Sequence, residues 1–338
     1  MNSEYDRDNK RPVLVTGASG FVGGHLIRYL VSKGVRVRGM IRNGSKSGAV
    51  EKLGAEPVLA DLRDAESLKR AVEGVKQVYH IAALFRQAGL PEGVYREVNA
   101  EGVRRLLEAC VSAGVERVVH CSTVGVLGHV KNPPANEETE YNPGDIYQET
   151  KLEGERVALE YFSSGRMGGV VIRPAMIYGP GDTRMLKLFK MIARGRFFYV
   201  GRGRAYVHFI DVRDLARAFY LAMEKRDING EVYIIAGRKA VPLCDMVNTV
   251  ADYMGVKRPR VHLPARPVQW LGSLCEAICT PLGLNPPIYR RRVDFFTKDR
   301  WFDSSRAQRD LGFEPSGTFE EELADIVEWY RKAGWLDR

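Results

Sequence analysis

The 338-residue chain has no run of about 20 uninterrupted apolar residues, the length a helix needs to cross a bilayer. Cysteine is scarce. The five residues at 110, 121, 244, 275 and 279 form an odd set without zinc-pair spacing. They read as reduced thiols of a cytoplasmic protein, with no metal site and no disulfide framework. Cys275 and Cys279 stand one helical turn apart, where packing explains them. Met1 to Arg11 is polar and charged, lacks the apolar core of a secretory leader, and reads as a loose tail. There is no internal repeat and no low-complexity tract. The net charge of +9 is widely spread, and Arg290-Arg291-Arg292 is the one dense basic run. Without a clustered stripe or a binding motif, nucleic acid is not an expected partner. A basic face suits phosphorylated cofactors, acidic substrates or anionic lipid.

What is present is alternation. Apolar strands are predicted at 13–16, 35–41, 56–59, 77–81, 117–121 and 169–173. Helical patterns lie between them at 23–33, 65–72, 99–113 and 146–162. This order implies an α/β fold, a doubly wound parallel sheet covered on both faces. After Pro174 the pattern loosens, so a division into 1–175 and a smaller, mostly C-terminal substrate-binding part, 176–338, is expected. The strand-like run 232–236 can return to the main sheet.

Two short strings carry the chemistry. The first strand runs into Gly17-Ala18-Ser19-Gly20-Phe21-Val22-Gly23. Glycines at this spacing allow a tight turn, bring backbone N–H groups against a pyrophosphate, and let the next helix pack closely. Far downstream, Tyr147 and Lys151 are i and i+4 on one helix face. A phenol with a pKa of about 10 is a poor base at neutral pH, and a neighbouring ammonium lowers that pKa. Ser122 and Thr123 follow the strand 117–121, where open α/β sheets bind ligands. Together the strings predict a dinucleotide site that moves protons and hydride.

The chain resembles the extended short-chain dehydrogenase/reductases, with Rossmann-type architecture, over nearly its whole length. Beside the glycine turn and the Tyr-Lys pair, the resemblance rests on Asp61-Leu62, His80-Ile81-Ala82-Ala83, Asn99 and Arg173-Pro174-Ala175-Met176-Ile177-Tyr178-Gly179-Pro180-Gly181. Phe302-Asp303-Ser304-Ser305-Arg306-Ala307 and Leu311-Gly312-Phe313 extend it. The resemblance implies that Asp61 and Leu62 hold the adenine and that Ala82 and Ala83 pass under the cofactor. It places Asn99 in the cofactor site and lines the nicotinamide with Pro174 to Ile177. Thr123, counted back from Gly128, or Ser122 orients the substrate, and Tyr147 and Lys151 act as the catalytic pair. Leu127 stands where relatives often have Tyr. The two helices 99–113 and 146–162 often pair across a two-fold axis in this family, which implies a homodimer.

The second strand ends Met40-Ile41-Arg42-Asn43, without the acidic residue that selects NAD. Arg42 can face a ribose 2′-phosphate instead, helped by Ser45 or Lys46, which favours NADP over NAD. Sugar-nucleotide members of the family often carry a phosphate-gripping arginine where Val207 stands here. The apolar stretch 267–284 resembles a segment of the 3β-hydroxysteroid dehydrogenase-like branch. The expected reaction is therefore hydride transfer between nicotinamide and a secondary alcohol or ketone of an apolar, sterol-like small molecule. The alternative is a nucleotide-sugar epimerase or dehydratase, and a lesser one is a non-catalytic NADPH-binding sensor or scaffold. The stretch 267–284 reads as core, dimer or pocket helix, or as a peripheral membrane contact of a cytoplasmic protein.

Overall fold

In the computed structural model, residues 11–87, 89–279 and 290–336 are described. The tail Met1–Lys10 and the 280–284 end of the apolar stretch lie outside the described residues.

Seven parallel strands form the central sheet: β1 (Val13–Thr16), β2 (Val37–Ile41), β3 (Glu56–Leu59), β4 (Gln77–His80), β5 (Arg117–Cys121), β6 (Gly168–Pro174) and β11 (Val232–Ile235). Their spatial order is β11-β6-β5-β4-β1-β2-β3. Chain order reverses between β1 and β4, and a crevice opens there at the strand C-termini. Val13 to Thr16 are buried because helices cover both faces, which is why the strand reads as a continuous apolar run.

Helix α1 (Phe21–Ser32) follows β1, α2 (Ala65–Val72) follows β3, α3 (Gly102–Ser112) precedes β5, and α4 (Ile146–Ser163) precedes β6. Leu26, Ile27 and Leu30 form the buried stripe of α1. Asp64 caps α2 by accepting from Glu66 N and Ser67 N.

The helix expected from Asn99 begins differently. A short helix at Glu92–Arg96 passes through a π-helical turn at Glu97–Glu101 before α3 starts. Helix α4 crosses at that turn, and a Cβ on its Gly154 would lie 2.0 Å from the Asn99 carbonyl oxygen. Only glycine permits such an approach.

Beyond β6 the chain adds β7 (Met176–Tyr178), α5 (Leu186–Ala193), β8 (Tyr199–Val200), β9 (Tyr206–Val207), β10 (Phe209–Asp211) and α6 (Val212–Glu224) before β11. After it come β12 (Val241–Pro242), α7 (Leu243–Met254), β13 (His262–Leu263), α8 (Ala265–Cys279), α9 (Arg290–Thr297), α10 (Ser305–Leu311) and α11 (Phe319–Lys332). Strand β11 pairs with β6, so residues 232–235 do return to the main sheet. A separate core unites Tyr178, Phe189, Phe209, Val247, Phe319 and Tyr330. Helix α9 also stands over the crevice, because Asp294 and Phe295 face into it.

Candidate active site

A cavity of about 1180 Å³ opens at the C-termini of β1, β4, β5 and β6. Its walls hold Gly17, Ser19, Gly20, Phe21, Val22 and Gly23 from the glycine turn, with Arg42, Asp61, Leu62, Ala82 and Ala83. Ser122, Thr123, Tyr147, Lys151, Pro174 and Ile177 complete the expected set.

Asn99 is the exception. It is 1 % exposed and its amide is already satisfied. Its Oδ1 accepts from Leu84 N, and its Nδ2 donates to Leu84 O and Thr150 Oγ1. In this structure Asn99 ties the loop after β4 to α4.

The glycine turn fits a dinucleotide. Gly17 has φ +70, and a Cβ there would press to 3.1 Å of Ala82 N and Cα. A Cβ on Gly23 would come within 2.2 Å of the Gly17 carbonyl oxygen. Helix α1 starts at Gly20 with no side-chain cap and no acidic residue in its first turn. Its N-terminal N–H groups and positive dipole end therefore remain for phosphate oxygens. Beneath the turn, Thr16 Oγ1 accepts from Ile81 N and Ala82 N and pairs with His80 Nδ1 at 2.9 Å. Burial pushes the His80 imidazole down to about 3, so it is neutral. At the adenosine end Arg42 and Lys46 are exposed on the cavity rim. The Asp61 carboxylate is clasped by Arg63 through Nε at 3.0 Å and Nη2 at 2.8 Å, and that hydrogen bonding holds its pKa low.

At the other end the hydroxyls differ. Thr123 Oγ1 accepts from Gly125 N at 3.0 Å and caps the turn Val124–Leu127, while its O–H remains able to donate. Ser122 Oγ is buried in the cavity wall with no hydrogen-bond partner among the described residues. A buried hydroxyl of this kind calls for a partner from a bound molecule.

Asp145 caps α4 through Gln148 N, which places Tyr147 in the first turn and Lys151 one turn on. The Lys151 ammonium is 2 % exposed and donates to the Cys121 carbonyl at 2.7 Å. Burial lowers its pKa, and the nearby Cys121 and Glu155 oppose that. Burial also raises the Tyr147 phenol, and the cations that pull it back are Arg86 and Arg184. The Arg86 guanidinium carbon lies 4.9 Å from the ring centroid. Asp145 holds it there, accepting from Arg86 Nε at 2.8 Å. Phe85 meets the same ring edge-on at 5.0 Å.

Sequence reasoning missed Arg86, Asp145, Arg184, His208, Phe295 and Arg300, all in the cavity wall. One signal was available: an Asp two residues before a helical Tyr is a capping residue with a second oxygen to spare. Val207, where a phosphate-gripping arginine would stand, is fully buried in the pairing of β9 with β12.

Fold and site together define an NAD(P)-dependent oxidoreductase of the short-chain type. Residues 13–236 match the model of the NAD dependent epimerase/dehydratase family, and the chain belongs to that family. It is 32% identical over 332 residues to "Sterol demethylase protein B" of Methylococcus capsulatus, covering 96% of this chain and 99% of that one. It is 30% identical to a "3 beta-hydroxysteroid dehydrogenase/Delta 5-->4-isomerase" of Mycobacterium tuberculosis, covering 94% of this chain and 90% of the relative. Among solved structures, gox2253 superposes with a TM-score of 0.83 at 29% identity, covering 97% of this chain and 100% of that one.

Proposed function

We propose that this enzyme transfers hydride between NADP(H) and a secondary alcohol or ketone carried on an apolar, sterol-like skeleton. The observation that carries the reading is the meeting of Tyr147, Lys151, Ser122 and Thr123 in one cavity with the glycine turn. Gly17 to Gly23 and the start of α1 would hold the pyrophosphate, and Pro174 and Ile177 would flank the nicotinamide. Arg42 and Lys46 on the rim would meet a 2′-phosphate, which favours NADP over NAD. When bound, the nicotinamide supplies or accepts the hydride. Thr123 or Ser122 donates a hydrogen bond to the substrate oxygen and orients it. Tyr147 takes the hydroxyl proton in oxidation and returns it in reduction. Arg86, over the Tyr147 ring, and Lys151, one helical turn on, would stabilise the phenolate.

An apolar substrate is supported by Phe85, Met176, Ile177, Phe295 and Phe302 in the wall, by the burial of Val207, and by the sterol and hydroxysteroid names of the relatives. The cations Arg86, Arg184, Lys298 and Arg300 favour a second reading, in which the cavity grips the diphosphate of a nucleotide sugar. One screen separates the two: purified enzyme with NADPH and NADH against sterol ketones, aryl ketones and UDP- or GDP-sugars. Net cofactor turnover with a sterol ketone supports the first reading. An isomerised sugar without net turnover replaces it with the second. We also propose a homodimer through α3 and α4; a monomeric mass by light scattering at micromolar concentration contradicts it.

A further inference from the structure

Lys and Arg are spread along the whole chain, but in one corner they stand without acidic neighbours in sequence. Residues 185–204 and 255–275 hold ten of its 51 Lys and Arg residues and none of its 42 Asp and Glu residues. Remove these segments and the remainder is close to neutral, so the net +9 resides here. The fold brings the two segments together. Strand β8 from the first pairs in parallel with β13 from the second, Tyr199 opposite His262. Tyr199 N donates to Val261 O, Gly201 N donates to Leu263 O, and the Tyr199 and His262 rings stack at 4.7 Å. Lys187, Arg194, Arg196, Arg202, Arg204, Lys257, Arg258, Arg260 and Arg266 are all exposed. Arg258 is paired with Asp252, just outside the second segment.

The same corner exposes large apolar side chains. Trp270 is 67% exposed, Leu271 48%, Leu274 43%, Val261 57% and Phe198 37%. Trp270, Leu271 and Leu274 occupy i, i+1 and i+4 of α8 and so share one face of that helix. Phe198 and Val261 lie side by side, one step before the β8–β13 pairing. Tryptophan beside aliphatics, rimmed by Lys and Arg, is the composition of a surface that beds into the headgroup layer.

We propose that β8, β13 and α8 form a peripheral docking face for an anionic lipid bilayer. The charge argues against a second copy of this chain as the occupant. A two-fold contact would bring two such like-charged patches together. Nucleic acid accounts for the arginines but leaves Trp270, Leu271 and Leu274 unexplained. No helix among the described residues is long and apolar enough to cross the membrane, so the attachment is interfacial. The face also adjoins the cavity. Helix α9 packs on β8, and its Asp294 and Phe295, with Lys298 just beyond, line the cavity wall. Docking here brings the cavity wall close to the bilayer in which an apolar sterol-like substrate would reside. That purpose rests on the function proposed above; the docking itself does not.

The test is sedimentation of the full chain with vesicles of phosphatidylcholine alone and of phosphatidylcholine with phosphatidylglycerol. We expect partitioning at least about tenfold stronger on the anionic vesicles, weakening as salt rises. Trp270→Ser with Leu271→Ser and Leu274→Ser, and separately Arg260→Glu with Arg266→Glu, should each weaken it by about tenfold or more. All five residues are exposed and none lines the cavity, so NADPH affinity and circular dichroism should be unchanged. Equal partitioning on both vesicles, or no loss in either variant, overturns the proposal. So does self-association that the serine variant abolishes in the absence of lipid binding. Vesicle binding needs no turnover, so a wrong substrate class leaves this result standing, and an absent membrane contact leaves the substrate reading standing.

Discussion

At one end of the cavity the wall is backbone from a single turn, Gly17 to Gly23; at the other it is long side chains from separate stretches, with Phe85, Arg86, His208 and Arg300 facing inward. The first end is fixed by what cannot fit. A Cβ on Gly23 would collide with the Gly17 carbonyl, and Thr16 pins the β4 loop from below. The second is fixed by charge, with Arg86 held over Tyr147 by Asp145. A cofactor common to many enzymes needs the same cradle each time, whereas a particular substrate needs a particular set of side chains. Sterics therefore govern one end and electrostatics the other.

Five substitutions and one titration can break that division. Tyr147→Phe should lower turnover by about 10²–10⁴-fold with no change in thermal unfolding, because it removes only the proton carrier. Retention of most activity would move proton transfer to another group. Gly23→Ala should abolish cofactor binding in fluorescence titration and destabilise the fold by about 1–3 kcal/mol through overpacking. If the variant binds NADPH normally, the cradle is not governed by sterics.

The floor of the cradle should also be acid-sensitive. His80 and His120 are each 1 % exposed, and burial depresses both, His80 to about 3. An imidazole depressed in the fold is protonated first in the unfolded chain. Its contribution to stability is present above about pH 6.5 and lost as pH falls, at up to about 1.4 kcal/mol per unit per group. Denaturant melts at pH 7 and pH 5 should differ by about 2 kcal/mol or more, and a flat profile contradicts this.

At the charged end, the two partners of one ion pair should act in opposite directions. Arg86→Met removes a cation from beside the phenol and should raise the apparent pKa of alcohol oxidation by about one unit. Asp145→Asn keeps a capping side chain but removes an anion and should lower it. A shift in the same direction for both would reduce the pair to scaffolding. The smallest effect expected is on cofactor choice: Arg42→Ala should raise the KM for NADPH by about tenfold and leave that for NADH unchanged. Equal changes for the two cofactors would mean that Arg42 does not read the 2′-phosphate.

The sheet was legible in the sequence because buried parallel strands are short apolar runs. Val13–Thr16, Gln77–His80 and Arg117–Cys121 appear where periodicity places them. The cradle was legible for a related reason, since its geometry depends on consecutive residues. The hydrogen bonds of Asn99 were not legible because its motif fixes its position but not the direction in which its amide is spent. Arg86 and Arg300 escaped notice because they come from loops that only the tertiary fold brings to one cavity, and an isolated arginine in a loop has no pattern. The π-turn at Glu97–Glu101 was invisible because the chain it packs against, at Gly154, lies on another helix.

Asp145 uses one oxygen to begin helix α4 and the other to hold Arg86. The register of the proton-carrying tyrosine and the charge above its ring are thus mechanically one adjustment. In a descendant of this enzyme, a new pH optimum set at that carboxylate would disturb the start of the helix as well, so drift in acidity has an easier route through the arginine.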